Sequence, residues 1–328
     1  MSRPLLLAYR ALGLGDLLTG VPALRALRDG FPDHRLVLAA PPALAPLAGL
    51  CGAVDAVVDT APLATPPADE HAMRGHVRGW SVSRPDVAVN LHGRGPQSHR
   101  ALLATRPRRM IAFAAPEVPW TGPRWRAGEH EVRHWCRLLA ESGIPADPAR
   151  LDLPHPRAPV PAAVAPGVTV VHPGAASPAR RWPAERWAAV ARAERAAGRS
   201  VVLTGSASER SLAESVARAA GLDGDAVLAG NTDLLTLAAV IARAGRVLCG
   251  DTGVAHLATA FGIPSVVLFG PTPPGEWGPP PERSRHVVLH RGGRGDPHGD
   301  RPDAGLLAIE VADVLSVTGA RFPALPHG

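Results

Sequence analysis

Short apolar runs alternate with longer helical patterns along most of this 328-residue chain. The first run, LLLAYR at 5–10, is typical of a buried strand, and the segment after it carries apolar residues at helical spacing up to Gly30. Pro22 lies within that helical pattern, and we expect it to kink the helix or restart it. Strands that alternate with helices predict parallel β–α–β units and therefore an α/β fold.

The alternation comes in two sets, separated by a proline-dense stretch at 144–167 that has no periodicity and predicts a linker. Further strands are predicted in the first set at 35–40, 53–59, 86–93 and 109–115, with a helix at 131–143. The second set predicts strands in VTVVHPG, SVVLTG, AVLAG, RVLCG, PSVVLFG and HVVLH, and helices at 183–198, 208–221, 234–245, 254–262 and 306–319. We expect two Rossmann-like domains with parallel sheets that face each other across a cleft.

Composition narrows the class of protein. All 35 basic residues are arginine, the formal net charge is +6, and the arginines are interspersed with acids, which is typical of a solvated surface and argues against a nucleic-acid partner. The three cysteines lie far apart and form neither a metal-binding spacing nor a disulfide framework, which is compatible with the cytosol. The amino-terminal apolar run is too short for a signal peptide, and no stretch is long enough to span a bilayer.

The segment CGDTGVAHLATAFG at 249–262 places an acid, a threonine and a glycine between an apolar strand and a helix. Free backbone N–H groups and the positive end of the helix dipole point outward at such a junction, so Thr252 and Gly253 predict a pyrophosphate cradle, with His256 one turn further on. Simple helix capping by Asp251 or Thr252 is the alternative, with His256 packed in the helix.

The segment GLGD at 13–16 lies at the equivalent junction of the first domain. It lacks the full G-x-G-x-x-G dinucleotide pattern, because position 18 is Leu18. An acid at the helix entry would repel a phosphate, so Asp16 is interpreted as a base or as a helix cap rather than as part of a phosphate loop.

Two further strand-to-helix turns carry candidate ligand contacts. In HPGAASPARRW at 172–182, Gly174 and Ala175 are small enough for a ligand to approach, and Arg180 can pair with a phosphate through its fork of N–H groups. In LTGSASER at 203–210, Glu209 is favoured by the helix dipole whether or not it binds a ligand, and Ser208 is a candidate N-cap.

These four segments, in this order and spacing, resemble the ADP-heptose–lipopolysaccharide heptosyltransferases, which are glycosyltransferase family 9. The match is strongest over 168–280, with an amino-terminal match centred on 12–28. The resemblance implies a GT-B fold, with an acceptor-binding domain at 1–155 and a nucleotide-sugar-binding domain at 156–328, and it allows the terminal helix to pack back on the first domain. It also implies an inverting single displacement that needs no metal and leaves ADP.

The resemblance assigns roles to individual residues. Asp16 matches the general base that acts on the acceptor hydroxyl, Glu209 matches an acid on the donor ribose, and Asp251 matches an acid that holds sugar hydroxyls. Arg180 stands where the family usually has a lysine on the donor phosphate. The complete set of donor-binding residues implied is Gly174, Ala175, Ser177, Arg180, Thr204, Glu209, Asp251, Thr252, Gly253 and His256.

The acceptor is the part of the reaction on which the sequence says least. Gly15, His92 and Arg94 are candidate contacts, as is the predicted long loop at 60–82, but the same residues would equally suit a solvated loop. No Asp-x-Asp metal motif follows an apolar strand, so we expect no metal and no cofactor, the donor being a substrate.

Two alternatives stay open at this point: the same fold with a UDP-, GDP- or dTDP-sugar donor, and a nucleotide-sugar-binding protein without catalysis. The expected partners are a nucleotide-diphospho-sugar and a glycan or small-molecule acceptor. We expect a cytoplasmic monomer, compatible with peripheral contact at the inner face of the cytoplasmic membrane.

Overall fold

The computed structural model describes residues 3–60, 80, 82 and 84–321. These residues divide into two compact units, and the division falls between Leu151 and Asp152, inside the stretch predicted as a linker. The predicted loop at 60–82 lies almost entirely outside the described residues, of which it contributes only Thr60, Trp80 and Val82.

The first unit is built on a parallel five-stranded sheet with the strand order β3-β2-β1-β4-β5. The central strand β1 is buried because it pairs on both sides, so that Tyr9 lies beside Ala39 of β2 and Asn90 of β4. The strands are β1 Leu5–Tyr9, β2 Arg35–Ala40, β3 Ala56–Asp59, β4 Val87–Asn90 and β5 Arg109–Ile111; the helices are α1 Leu14–Gly30, α2 Ala45–Leu50, α3 Gln97–Ala104 and α4 Glu131–Glu141.

The second unit repeats this plan with the strand order β10-β9-β8-β6-β7, again all parallel. Its strands are β6 Thr169–His172, β7 Val201–Leu203, β8 Arg246–Gly250, β9 Ser265–Phe269 and β10 His286–His290. Its helices are α5 Ala184–Ala196, α6 Arg210–Ala220, α7 Leu234–Arg243, α8 Gly253–Phe261, α9 Pro274–Trp277, α10 Ala304–Leu307 and α11 Val311–Arg321.

Small apolar side chains fill both cores. Along β8 and β9 every residue is buried, as expected for parallel strands covered by helices on both faces. Trp182 and Trp187 pack edge to face at 4.9 Å beneath α5, which confirms that they are packing residues. All three cysteines are buried thiols, and Cys249 serves as a small core residue of β8.

Several element predictions need correction. Pro22 does not restart the first helix, because α1 is a single helix from Leu14 to Gly30. The predicted strand AVLAG forms only an isolated parallel bridge between Val227 and Leu203, since the chain turns away at Gly230, whose φ is +76°. Ser208 is not the N-cap of its helix; a 3₁₀ turn capped at Ser206 precedes α6.

The predicted terminal helix is broken in two. Trp182 Nε1 donates to the carbonyl of Ile309 at 2.9 Å, and the Arg186 guanidinium donates to the carbonyls of Leu307 and Ile309. The Leu307 carbonyl ends α10 and the Ile309 carbonyl lies between α10 and α11. Side chains of the α5 region therefore satisfy backbone groups that a continuous helix would have used internally. Within the second unit, α11 packs against α5, β9 and β10.

None of the helices formed by the described residues combines the length and the apolar character needed to cross a membrane. The two parallel five-stranded α/β sheets confirm the predicted fold class.

Candidate functional site

In the first sheet, β1 lies between β2 and β4. In the second sheet, β6 lies in the same way between β7 and β8. The crevice at the carboxyl end of strands that leave in opposite directions is where open α/β sheets bind ligands. The predicted site residues follow these strands: Asp16 comes after β1, Gly174 to Arg180 after β6, and Asp251 after β8.

Asp16 lies in the first turn of α1, where its Oδ2 accepts a hydrogen bond of 3.0 Å from the backbone N–H of Gly13. Its side chain is 19% exposed, and its Oδ1 lies 3.5 Å from Nη2 of Arg10. Burial raises the pKa of Asp16 against the opposing effects of Arg10 and of the Gly13 N–H. The helix-capping interpretation is therefore correct for one carboxylate oxygen and leaves the other facing a buried cation.

Arg10, the last residue of the predicted strand 5–10, is a functional candidate that sequence reasoning missed. Its guanidinium is fully buried and donates to the backbone carbonyls of Asp16 and Leu91, to Thr19 Oγ1 at 3.0 Å and to Glu131 Oε1 at 2.9 Å. It also stacks over the ring of Trp135, 5.0 Å from the centroid. A charged residue at the end of an otherwise apolar strand was the only signal of this role in the sequence.

The candidate acceptor residues are unevenly placed. His92 accepts a hydrogen bond of 3.1 Å at Nδ1 from the Ala11 N–H and packs on Tyr9, and burial lowers its pKa to about 4, so the imidazole is neutral at pH 7. Arg94 is exposed on the loop after β4, and Gly15 is partly buried, with its carbonyl accepting from Thr19 Oγ1. The ring of His92 thus lies beside the end of β1, close to Arg10.

In the second unit, Gly174 and Glu209 are in close approach. A Cβ built on Gly174 would lie 2.2 Å from Glu209 Oε1, so only glycine lets the loop after β6 pass this carboxylate. His172 Nδ1 and Thr204 Oγ1 are hydrogen-bonded at 3.0 Å beneath it, and burial lowers the pKa of His172.

Glu209 is held by its own turn. Both the N–H and the hydroxyl of Ser206 donate to its Oε2 at 2.8 Å. Burial alone would raise its pKa, but these hydrogen bonds overcome that effect and lower it, so the group is a carboxylate at neutral pH. These capping hydrogen bonds occupy Oε2 of Glu209, and Oε1 faces Gly174.

Arg180 and Asp251 meet at the crevice between β6 and β8. Arg180 Nη1 lies 3.7 Å from Asp251 Oδ2 and 3.4 Å from the Asp251 carbonyl. Asp251 is nearly fully buried, which raises its pKa, while Arg180 and the Thr272 hydroxyl act in the opposite direction. Arg180 Nε is buried with no hydrogen-bond partner among the described residues, so one donor of this guanidinium is unused.

Thr252 occupies the N-cap position of α8, but its side chain makes no capping hydrogen bond. Its hydroxyl is buried next to the Cys249 thiol and finds no well-formed hydrogen bond within the described part of the chain. Gly253 begins the helix, and one turn later the partly buried His256 packs edge to face on Trp277 at 6.0 Å. A helix N-terminus with unfilled donors is the arrangement that binds anions.

The polar, glycine-rich segment 291–303 lies against the Arg180 turn. The Ser177 hydroxyl donates to the Pro297 carbonyl at 2.5 Å, the Ala179 N–H donates to Gly299, and the Asp303 N–H donates to Ala179. The Ser177 hydroxyl is therefore hydrogen-bonded to this loop. The Ala175 carbonyl accepts a hydrogen bond from Arg181 Nε. The contact between segment 291–303 and the Arg180 turn could not be predicted from any periodicity in the sequence.

Comparison with known proteins identifies the family. The family model described as glycosyltransferase family 9 (heptosyltransferase) matches residues 121–298, more than half of the chain. The chain belongs to this family. The family predicted from the four sequence segments, and with it the class of glycosyltransferases, is thereby confirmed.

Solved structures of the same family share the fold. The glycosyl transferase family 9 protein of Veillonella parvula superposes with a TM-score of 0.76 at 19% identity, covering 96% of each chain. The E. coli ADP-heptose lipopolysaccharide heptosyltransferase II gives 0.72 at 20% identity, over 96% of this chain and 97% of that one. The E. coli heptosyltransferase WaaC with ADP gives 0.69 at 18% identity, over 95% and 98%.

One curated family member matches a short segment more closely. Lipopolysaccharide heptosyltransferase 1 of Pseudomonas aeruginosa is 46% identical over 71 residues, which is 22% of this chain and 19% of that protein. The match therefore spans about a fifth of the length of that relative.

Proposed function

We propose that this protein transfers a sugar from a nucleotide-diphospho-sugar, an ADP-heptose or a closely similar donor, to the hydroxyl of a glycan or small-molecule acceptor. The observation that carries the proposal is the pairing of Arg180 with Asp251 at the N-terminus of α8. Among the described residues, Arg180 Nε makes no hydrogen bond there, and the Thr252 hydroxyl has only the Cys249 thiol beside it. The donor class is supported by two E. coli relatives, the ADP-heptose lipopolysaccharide heptosyltransferase II and the heptosyltransferase WaaC solved with ADP-2-deoxy-2-fluoro heptose.

In this proposal Asp16 is the general base. An acceptor hydroxyl becomes a good nucleophile only as its proton is removed in the transition state, and a positioned carboxylate can take that proton. Partial burial raises the pKa of Asp16, which makes its carboxylate a better proton acceptor than an exposed aspartate. Direct attack of the activated oxygen on the anomeric carbon would invert its configuration.

The leaving diphosphate would be stabilised by the second unit. Charge grows on its oxygens as the glycosidic bond stretches, and Arg180 together with the N-terminal N–H groups of α8 can receive that charge. Asp251 and Glu209 offer carboxylate acceptors for hydroxyl groups of the sugar and of the ribose. These groups account for the charge without a metal, so we propose a metal-independent reaction and expect a chelator to leave the rate unchanged.

The test separates donor binding from transfer. ADP is expected to raise the melting temperature of the wild-type protein and of Asp16→Asn equally, because Asp16 is not in the donor site. Transfer from ADP-heptose to the acceptor is expected to fall at least ~10³-fold in Asp16→Asn, the scale expected of a lost catalytic base. The control is Asp33→Asn, an exposed aspartate of the same unit, which should be fully active.

The alternatives give different results in the same assay. A larger increase in melting temperature with UDP, GDP or dTDP than with ADP would mean that the donor carries that nucleotide instead. Binding of the nucleotide sugar without turnover, by the wild-type protein and over a panel of acceptors, would replace the enzyme by a binding protein. Full activity of Asp16→Asn would refute the assignment of the base.

A further inference from the structure

The guanidinium of Arg10 is a buried cation whose hydrogen-bond acceptors and stacking partner all come from the protein. Its side chain is 0% exposed, and it joins the end of β1 to the first turns of α1, to the loop after β4 and to the start of α4. A buried charge is tolerated only where opposite charge and hydrogen bonds replace the lost hydration. One of its neighbours is the Asp16 carboxylate, at 3.5 Å, and this contact points to a role in the candidate site.

We infer that Arg10 is a positioning residue for the proposed base Asp16, and that Glu131 is the counter-charge that keeps Arg10 from binding the base too tightly. This inference rests on the proposed function, in which Asp16 accepts the proton of the acceptor hydroxyl. In this assignment Arg10 and Glu131 contact neither the acceptor hydroxyl nor the donor sugar. They act on the reaction only through Asp16.

Three acceptors compete for a single nitrogen of Arg10. Nη2 carries two hydrogens, and it lies 2.9 Å from Glu131 Oε1, 3.0 Å from Thr19 Oγ1 and 3.5 Å from Asp16 Oδ1. The two shorter contacts use the available hydrogens, so the Asp16 oxygen is left at a distance where attraction is mainly electrostatic. Oδ2 of Asp16 is already engaged by the Gly13 N–H, and we therefore assign Oδ1 as the oxygen that receives the proton.

Glu131 is itself fixed in place. Its Oε1 also accepts the Trp135 Nε1 hydrogen at 2.8 Å, and the Trp135 ring supports the Arg10 guanidinium from below. The carboxylate therefore cannot move away from Arg10 without losing a second hydrogen bond. Removal of its charge would weaken its hold on Nη2 and so strengthen the electrostatic attraction between Arg10 and Asp16 Oδ1.

Other titratable side chains lie near Arg10 and Glu131. His134 interacts with both, and burial lowers its pKa to about 4, so its imidazole is neutral at pH 7. On α4 and just before it, Glu129 and Arg137 pair at 2.8 Å, and Glu129 also faces His134. His92 faces Arg10 from the loop after β4 and is kept neutral by burial. Arg10 lowers the pKa of Asp16 and Glu131 raises it. Substitutions of the two residues should therefore shift the Asp16 titration in opposite directions.

The experiment measures that titration directly in the full-length protein. Protein labelled with ¹³C at the aspartate carboxyl carbon is titrated by NMR, and the Asp16 signal is assigned by its absence in Asp16→Asn. Relative to the wild type, Glu131→Gln should lower the pKa of Asp16 by about 0.5 or more, and Arg10→Met should raise it by a similar amount. Arg10→Lys, which keeps the charge, should restore most of the wild-type value.

The matched control is Glu129→Gln, which removes a carboxylate two residues away that pairs with Arg137 instead. It should leave the Asp16 titration unchanged. If Arg10→Met does not fold, Glu131→Gln and Arg10→Lys decide the question. An Asp16 titration that is the same in Glu131→Gln and the wild type, with only a lower melting temperature, would make the pair structural and overturn the inference.

Failure of this inference and failure of the proposed function are distinguishable. The NMR titration needs neither donor nor acceptor, so it stands whatever the reaction. If Asp16→Asn transfers sugar at the wild-type rate, the base is misassigned even where the titration shifts as expected. If Asp16→Asn is inactive but the titration does not respond to Glu131, only the role of Arg10 and Glu131 is refuted.

Discussion

At several positions of the candidate site, the side chains packed around a residue leave room or charge for only one residue type. Gly174 is the clearest case, because the space of its missing side chain is occupied by the Glu209 carboxylate. Arg180 is another, since its guanidinium pairs with the buried carboxylate of Asp251. At this scale a change of one methyl group or of one charge is expected to have a measurable effect.

The first prediction concerns Gly174→Ala. The added Cβ would lie 2.2 Å from Glu209 Oε1, so the carboxylate must turn aside while the backbone stays in place. We expect a loss of ADP affinity of about 10-fold, the value of one misplaced charge-assisted hydrogen bond, with little change in melting temperature. Isothermal titration with ADP measures the affinity.

The control is Gly224→Ala, where a Cβ meets nothing within 4 Å and φ is not in the left-handed region. It should bind ADP as the wild type does. An undiminished affinity in Gly174→Ala would mean that Glu209 does not contact the nucleotide.

Elements were predictable where the hydrophobic pattern was continuous, and hard to predict where tertiary contacts decided the outcome. The strands 5–10, 35–40 and 246–250 and the helix 131–143 were found with small errors at their ends, because a buried strand or an amphipathic helix has a local signature. The break between α10 and α11 was not found, since it depends on Trp182 and Arg186, more than a hundred residues earlier.

The second prediction belongs to the elements that carry the second sheet. Glu194 of α5 is almost fully buried and accepts from Thr169 of β6 at 2.7 Å and from Arg199 at 2.6 Å. Loss of its charge leaves Arg199 and Arg246 without their shared carboxylate. We expect Glu194→Gln to lower the free energy of unfolding by about 3 kcal/mol, as measured by urea denaturation.

The pH dependence of this effect has a definite sign. Burial would raise the pKa of Glu194, but the hydrogen bonds from Arg199 and Thr169 overcome burial and lower it below 4.5. Its stabilisation is therefore complete above pH 4.5 and is lost as the pH falls through the lowered pKa. The exposed pair Arg210–Glu214 is the control, because Glu214→Gln should cost less than about 1 kcal/mol at any pH. An equal loss in both variants would contradict the prediction.

At the scale of the whole molecule, the chain is two similar α/β units with the two kinds of candidate chemistry divided between them. The acid proposed as base lies in the first, and the anion-binding groups lie in the second. The family, the fold class and the positions of Asp16, Asp251 and Glu209 at strand ends could all be predicted from sequence. Arg10 and the 291–303 loop could not, because their roles depend on which distant segments fold against them.

The third prediction follows from this division. Each unit has a hydrophobic cluster of its own, and the donor groups all lie within residues 152–328. Expressed alone, that segment should fold and bind ADP with a dissociation constant within about 3-fold of that of the full chain, while transferring no sugar. Calorimetry on the two proteins measures the ratio. A segment that folds but does not bind ADP would place part of the nucleotide site in the first unit.

The contacts of the 291–303 loop with the Arg180 turn make this loop a natural reporter of donor occupancy. Arg291 and Arg294 are exposed, and each is followed by a glycine, so trypsin can attack both peptide bonds. A diphosphate that immobilises Arg180 would brace the loop through Ser177 and Ala179. Cleavage at these two arginines should therefore slow when ADP is added, giving a simple gel assay of nucleotide choice that requires no knowledge of the acceptor.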